Sequence, residues 1–234
     1  MLCQAIADAD DLQLTARVDP SGMDCVATLD EVDATTIDVV VDFSTLEVAR
    51  ATVAWAVAND RAVVIGTTGF GDDEVHGWAV AHPTSHIMIA ANFAIGAVLA
   101  ERFAAQAAPF FDRVEIIEYH HDQKVDAPSG TALETARVVR DARRAAGRGA
   151  VSEPTLRETL AGSRGADGGD NVRVHAVRMP GMTAHQDILF GGPGEGLTLR
   201  HDAYDRRSFA AGVLLAVREV RQRPGVTRGL ASLL

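Results

Sequence analysis

Three short, almost wholly apolar runs do most to limit what this chain can fold into. Residues 37–43 read IDVVVDF, residues 62–65 read AVVI and residues 87–90 read IMIA. Runs of this length, rich in Val and Ile, suit parallel strands covered on both faces. A fourth run, residues 12–18, alternates apolar and polar side chains and also reads as a strand. The four starts lie roughly 25 residues apart, room for a strand, a helix and two short loops. Residues 47–59 and 73–82 supply the helices. The expected fold class is α/β, with a Rossmann-type doubly wound parallel sheet.

The rhythm changes after Asn92. Residues 95–108 read as a helix, 113–120 as a strand and 131–146 as a helix. A Gly-, Ser- and charge-rich loop then runs over 147–170, long for a structureless connection and so a candidate functional or mobile segment. Strand-like runs at 172–178, 186–190 and 197–201 are closely spaced, as in an antiparallel or mixed sheet, and 208–222 reads as an amphipathic helix. The second region is thus an α+β domain with a mixed sheet.

Composition narrows the function classes. A chain of 234 residues, 47% hydrophobic, can bury a sizeable core in one large or two smaller domains. Its net charge of -10 argues against nonspecific nucleic-acid binding, and an anionic ligand needs a local cluster of cations. Cys3 and Cys25 make no disulfide framework and no zinc spacing. No apolar run has the length of a membrane span, and no signal-peptide pattern opens the chain. The expected setting is the reducing cytoplasm.

The richest segment is Glu118-Tyr119-His120-His121-Asp122-Gln123-Lys124-Val125-Asp126-Ala127-Pro128-Ser129-Gly130-Thr131-Ala132. It leaves a strand and opens a helix. Two His and a Lys within five residues form the positive patch that an acidic protein needs for an anion. Ser129 or a neighbour can cap the helix, and Thr131 with Glu134 has capping-box spacing. Backbone N–H groups at Gly130 and Thr131, at the positive end of that helix, suit a carboxylate. Each part alone has a plainer reading: a surface His pair, a solvated lysine, a helix start. A two-His metal site lacks a third ligand at convincing spacing. Joined in one stretch, the parts favour a site.

On the nucleotide side, Gly66-Thr67-Thr68-Gly69 and Ala91-Asn92-Phe93 each follow a buried run, at the strand ends where open α/β sheets bind ligands. Asp19 ends the run LQLTARVD, the place of the acidic residue that holds a ribose hydroxyl, or is a turn residue before Pro20-Ser21-Gly22.

Together these motifs closely resemble the 4-hydroxy-tetrahydrodipicolinate (dihydrodipicolinate) reductases. The HH-x2-K-x-DAPSGTA run of residues 120–132 is the specific part. Val41-Asp42-Phe43-Ser44, Gly66-Thr67-Thr68-Gly69, Ala91-Asn92-Phe93-Ala94-Ile95-Gly96, Val174-His175-Ala176-Val177-Arg178, Gly194-Glu195 and Arg200-His201-Asp202 extend it over essentially the whole chain. The resemblance implies reduction of 4-hydroxy-tetrahydrodipicolinate to tetrahydrodipicolinate, with NADH or NADPH, in lysine and diaminopimelate biosynthesis. It implies that His120 gives or takes a proton, that Lys124 is the general acid, and that His121, Gly130 and Thr131 contact substrate. Gly66, Thr67, Thr68, Ala90, Ala91, Asn92 and Phe93 match cofactor contacts, and Asp19 matches the ribose contact. Asp19 repels a 2′-phosphate, which favours NADH with NADPH allowed. No metal is expected, and a homotetramer built through the second domain's sheet is.

The implied domains are a dinucleotide-binding domain of residues 1–92 and 208–234, and a substrate-binding and oligomerisation domain of residues 93–207. The family's Gly-rich phosphate loop, with the first strand that carries it, has no counterpart in residues 1–234. The expectation is a dinucleotide domain incomplete at its N-terminus. A reading frame that continues upstream, a natural form with impaired cofactor binding and a partner chain that completes the sheet are the three explanations. The other class to weigh is a different Rossmann-type imine or semialdehyde reductase.

Overall fold

The apolar runs pair side by side in a computed structural model that describes residues 1–234. Val39–Asp42 (β1), Ala62–Ile65 (β2) and His86–Ile89 (β3) form a parallel ladder. Gly225–Arg228 (β9) adds in parallel to β3, so the sheet order is β1-β2-β3-β9, with β1 at one edge. Every residue of β2 is buried, the pattern of a strand with a helix on each face. Leu46–Ala58 (α2) packs Ala49, Val53 and Ala56 on Val63, Ile65 and Ile87, and Asp72–Ala81 (α3) buries Val75. Ala210–Glu219 (α6) also packs on β2 and buries Val213 and Ala216. Its Gly212 is required, because a Cβ there would sit 2.0 Å from the Phe93 carbonyl oxygen. These elements belong to one compact unit, Met1–Ile95 with Arg206–Leu234.

Residues 12–18, expected to be a strand, are irregular apart from one bridge between Val18 and Val26. Alternation alone is insufficient there, since no neighbouring strand offers a continuous row of partners. The preceding Leu2–Ala7 (α1) contacts α6, and Arg218 grips Asp11 through two hydrogen bonds.

The second unit, Gly96–Asp205, holds a five-stranded mixed sheet. Arg113–His120 (β4) lies at its centre, parallel to Arg173–Arg178 (β6) and antiparallel to Ala184–Gly192 (β7). Glu195–Ala203 (β8) extends the β7 hairpin, and Ala166–Asp167 (β5) closes the other edge. Ile95–Ala107 (α4) and Gly130–Ala145 (α5) contribute small residues, Ala100, Ala104, Ala132 and Ala136, to a core with Val114, Ile116, Val174, Ile188 and Phe190. Alanines let the helix backbones lie close to the sheet.

The 147–170 loop is fastened rather than loose. Val151 is buried and its N–H donates to the Asp170 carbonyl. Arg144 forks onto the Asp170 carboxylate, and Arg164 onto Glu115. Ser129, not Thr131, is the N-cap of α5, and Glu134 turns to Arg137 instead of closing a capping box.

Candidate active site

In the first unit, the ends of β1 and β2 and the start of α2 surround an open pocket of about 360 Å³, lined by Phe43, Ser44, Thr45, Leu46, Gly66, Thr67 and Thr68. A Cβ at Gly66 would fall 2.0 Å from the Phe43 ring, so any larger residue must displace that half-exposed side chain. Gly69 has a φ of +105°, which favours glycine, so the segment after β2 turns with no side chain in the way. Asp42 holds the pocket's frame. Its carboxylate accepts from the Ser44 N–H (2.9 Å), the Ser44 hydroxyl (2.7 Å), the Thr67 hydroxyl (3.3 Å) and the Thr52 hydroxyl (2.6 Å). Sequence reasoning gave this buried carboxylate no role. The signal was present, an acid ending an apolar strand and followed by Ser, which invites an Asx turn.

Of the expected nucleotide-side residues, Gly66, Thr67 and Thr68 line this pocket. Ala90 follows β3 and donates its N–H to the Ile65 carbonyl. The Asn92 side chain accepts from the Ala94 N–H (2.9 Å), and buried Phe93 packs against Phe43 with the rings tilted at 55° and their centroids 5.3 Å apart. Ala91 is exposed between them. Asp19 stands apart in an exposed turn, where it accepts from the N–H and hydroxyl of Ser21. The Ser21 N–H is the main reason its carboxyl is held below the ordinary value.

The second unit carries the His-Lys segment as β4 leads into α5. His120 ends β4, 16% exposed, with Nδ1 against the carboxylate of Glu118. Burial pushes the His120 imidazole down, Glu118 pulls it up, and Lys124 and Arg178 push it down again, so it lies below the ordinary value. His120 is therefore neutral at neutral pH. Lys124 Nζ donates to both oxygens of Asp126, at 2.7 and 3.0 Å. His121 is exposed. Gly130 and Thr131 form the first turn of α5, where N–H groups have no carbonyl of the same helix to reach. The Ser129 hydroxyl takes the Ala132 N–H and leaves that positive end well defined.

Sequence reasoning missed the group beneath these residues. Glu118 is fully buried, accepts from Arg178 at 2.8 and 2.9 Å, and accepts the Ser129 N–H at 3.2 Å. Burial pushes its carboxyl up, and the Arg178 and His120 contacts outweigh that and hold it below the usual range. No three His, Cys, Asp or Glu side chains converge as a metal site would require.

A parallel nucleotide-type sheet with small residues at its strand ends, joined in one chain to an imidazole and an ammonium beside a helix N-terminus, defines a Rossmann-type oxidoreductase. Comparison with known proteins narrows the class. Residues 1–93 match the family described as dihydrodipicolinate reductase, N-terminus, and residues 96–234 match its C-terminus. The 4-hydroxy-tetrahydrodipicolinate reductase of Nocardia farcinica is 52% identical over 232 residues, covering 98% of this chain and 91% of that one. The same-named protein of Mycobacterium ulcerans is 48% identical, with 100% and 93% covered. The structure of dipicolinate-bound dihydrodipicolinate reductase from Paenisporosarcina sp. TG-14 superimposes with a TM-score of 0.85 at 36% identity, over 99% of this chain and 93% of the other. The chain belongs to the dihydrodipicolinate reductase family.

Proposed function

We propose that this chain reduces 4-hydroxy-tetrahydrodipicolinate to tetrahydrodipicolinate with NADH or NADPH, in lysine and diaminopimelate biosynthesis. The observation that carries the reading is the intact His120, Lys124 and α5 N-terminus cluster in a chain 52% identical to a 4-hydroxy-tetrahydrodipicolinate reductase. The substrate is a cyclic dicarboxylate that loses water to give a conjugated imine, and reduction adds a hydride to carbon and a proton to a neighbouring atom. The cofactor supplies the hydride.

The chain's own residues supply the rest. The N–H groups of Gly130 and Thr131 and the exposed His121 hold substrate carboxylate. Lys124 is the proton donor, released from Asp126 as substrate carboxylates compete for its ammonium. His120 relays a proton, a task suited to a neutral imidazole. In the other unit, Gly66, Thr67 and Thr68 line a pocket open enough for a nucleotide, and they hold it with Ala90, Ala91, Asn92 and Phe93. Asp19 takes the ribose hydroxyls. Its carboxylate is anionic at neutral pH and repels a 2′-phosphate, which favours NADH. The first unit is the dinucleotide-binding domain, and the second binds substrate and assembles a homotetramer through its sheet. Cys3 and Cys25 are free thiols and no helix is long and apolar enough to cross a membrane, in keeping with a cytoplasmic enzyme.

The test is a coupled assay. The condensation product of pyruvate and aspartate semialdehyde is offered with NADH or NADPH, and loss of reduced-nicotinamide absorbance is followed. Substrate-dependent oxidation, faster with NADH, is expected. Oxidation of neither nucleotide refutes the reading.

A further inference from the structure

The side chain of Glu118 is 1% exposed, yet both its oxygens are fully engaged. One meets His120 Nδ1 and Arg178 Nη1, and the other meets Arg178 Nη2 and the Ser129 N–H. Arg178 Nη2 reaches on to the Asp126 carbonyl at 2.7 Å. One carboxylate thus ties the end of β4, the last residue of β6 and the cap of α5. A carboxylate can only accept. With His120 neutral, its single ring proton must therefore lie on Nδ1, where Glu118 receives it, and the lone pair must lie on Nε2. The Lys124 and Arg178 cations that also act on this ring offer no base for that proton.

We propose that Glu118 is the positioning residue of this reductase: it fixes His120 as the Nδ1–H tautomer, so that Nε2 is the atom that exchanges the proton, and it holds the α5 N-terminus at a fixed place beside that imidazole. The proposal rests on the role given to His120 above. Arg178 completes the arrangement by keeping Glu118 ionised in a buried place. A neutral acid there would itself carry a proton, and the imidazole would be free to reverse its tautomer. Loss of the orienting partner costs about 10- to 100-fold behind a metal-bound histidine, and about 10⁴-fold where a carboxylate sets the tautomer of a proton-transferring histidine.

The test uses 15N-histidine-labelled full chain and its Glu118→Gln variant. In the wild type at neutral pH, the His120 ring, assigned by its loss in His120→Asn, is expected in the Nδ1–H form. In Glu118→Gln the two tautomers are expected to mix, with kcat lower by roughly 10²- to 10⁴-fold and KM changed less than about threefold. Glu118→Asp, which keeps the charge but shortens the reach, is expected to recover part of kcat. A merely structural Glu118 would shift stability and leave the tautomer alone. His120 in the Nε2–H form in the wild type overturns the proposal, and needs no variant to fold. An active wild type beside a Glu118→Gln variant of equal kcat overturns the role of Glu118 and spares the assigned reaction. An Nδ1–H wild type that never oxidises NADH or NADPH with this substrate overturns the reaction, and the catalytic part of the proposal with it.

Discussion

Glu101 offers a sharp test of the second unit's electrostatics. It lies on α4, and burial first, then the Glu134 carboxylate, pushes its carboxyl from the ordinary 4.5 up to about 7. Arg137 pulls the other way, but weakly, because its guanidinium is forked onto Glu134 and reaches Asp141 as well. In the unfolded chain Glu101 loses its proton near 4.5, while the folded chain keeps it to about 7. Between those values folding takes up a proton, so stability falls as pH rises, and the loss is complete above about 7. At about 1.4 kcal/mol per pH unit the gap corresponds to roughly 3 kcal/mol, and nearer 2 once solvent reaching the side chain is allowed for. Glu101→Gln removes the titration. Urea unfolding followed by far-UV circular dichroism, at several pH values from about 4.5 to 8, measures both chains. Their stabilities should be similar at the acid end and separate in favour of the variant by roughly 2 to 3 kcal/mol at the alkaline end. Parallel stability curves across that range would refute the reasoning.

Lys124→Ala is expected to lower kcat by about 10² to 10⁴ while leaving NADH affinity nearly intact, measured by steady-state kinetics beside nucleotide titration; equal loss of both would make Lys124 structural. Gly66→Ala drives a methyl into the ring of half-exposed Phe43, which lines the same pocket and must move. NADH affinity should therefore fall about tenfold or more, roughly 1.4 kcal/mol, with the melting temperature little changed, and unaltered NADH titration would contradict this use of the pocket. Ile116→Ala opens a hole opposite Ile188 at the centre of the second core and should cost about 2 to 5 kcal/mol in urea unfolding.

The parts of the fold that were legible in the sequence are those where one residue pattern meets one environment. Val63 and Val64 sit in a strand buried on both faces, and continuous apolarity announces that directly. The 12–18 run carries a proper alternation and still forms no ladder, because a strand depends on a partner that its own residues do not specify. Gly225–Arg228 escaped notice for the opposite reason: four residues beside Pro224 show no period, yet β3 receives them. In the candidate site, His120, His121 and Lys124 stood out because they are close in sequence. Glu118 did not, because its meaning depends on Arg178, sixty residues further along. Asp42 was hidden likewise by partners as distant as Thr67.

The seating of β9 against β3 has a consequence for how the chain is made. His86 pairs with Gly225, so the parallel sheet cannot gain β9 until the chain has been made through Arg228. Gly96–Asp205 is one continuous stretch and can close its own core while the tail is still being synthesised. Folding should therefore begin in that middle stretch, with β9 reaching β3 late and across a long sequence separation, the slow kind of contact. Leu230, buried just past β9, then locks the late arrival in place.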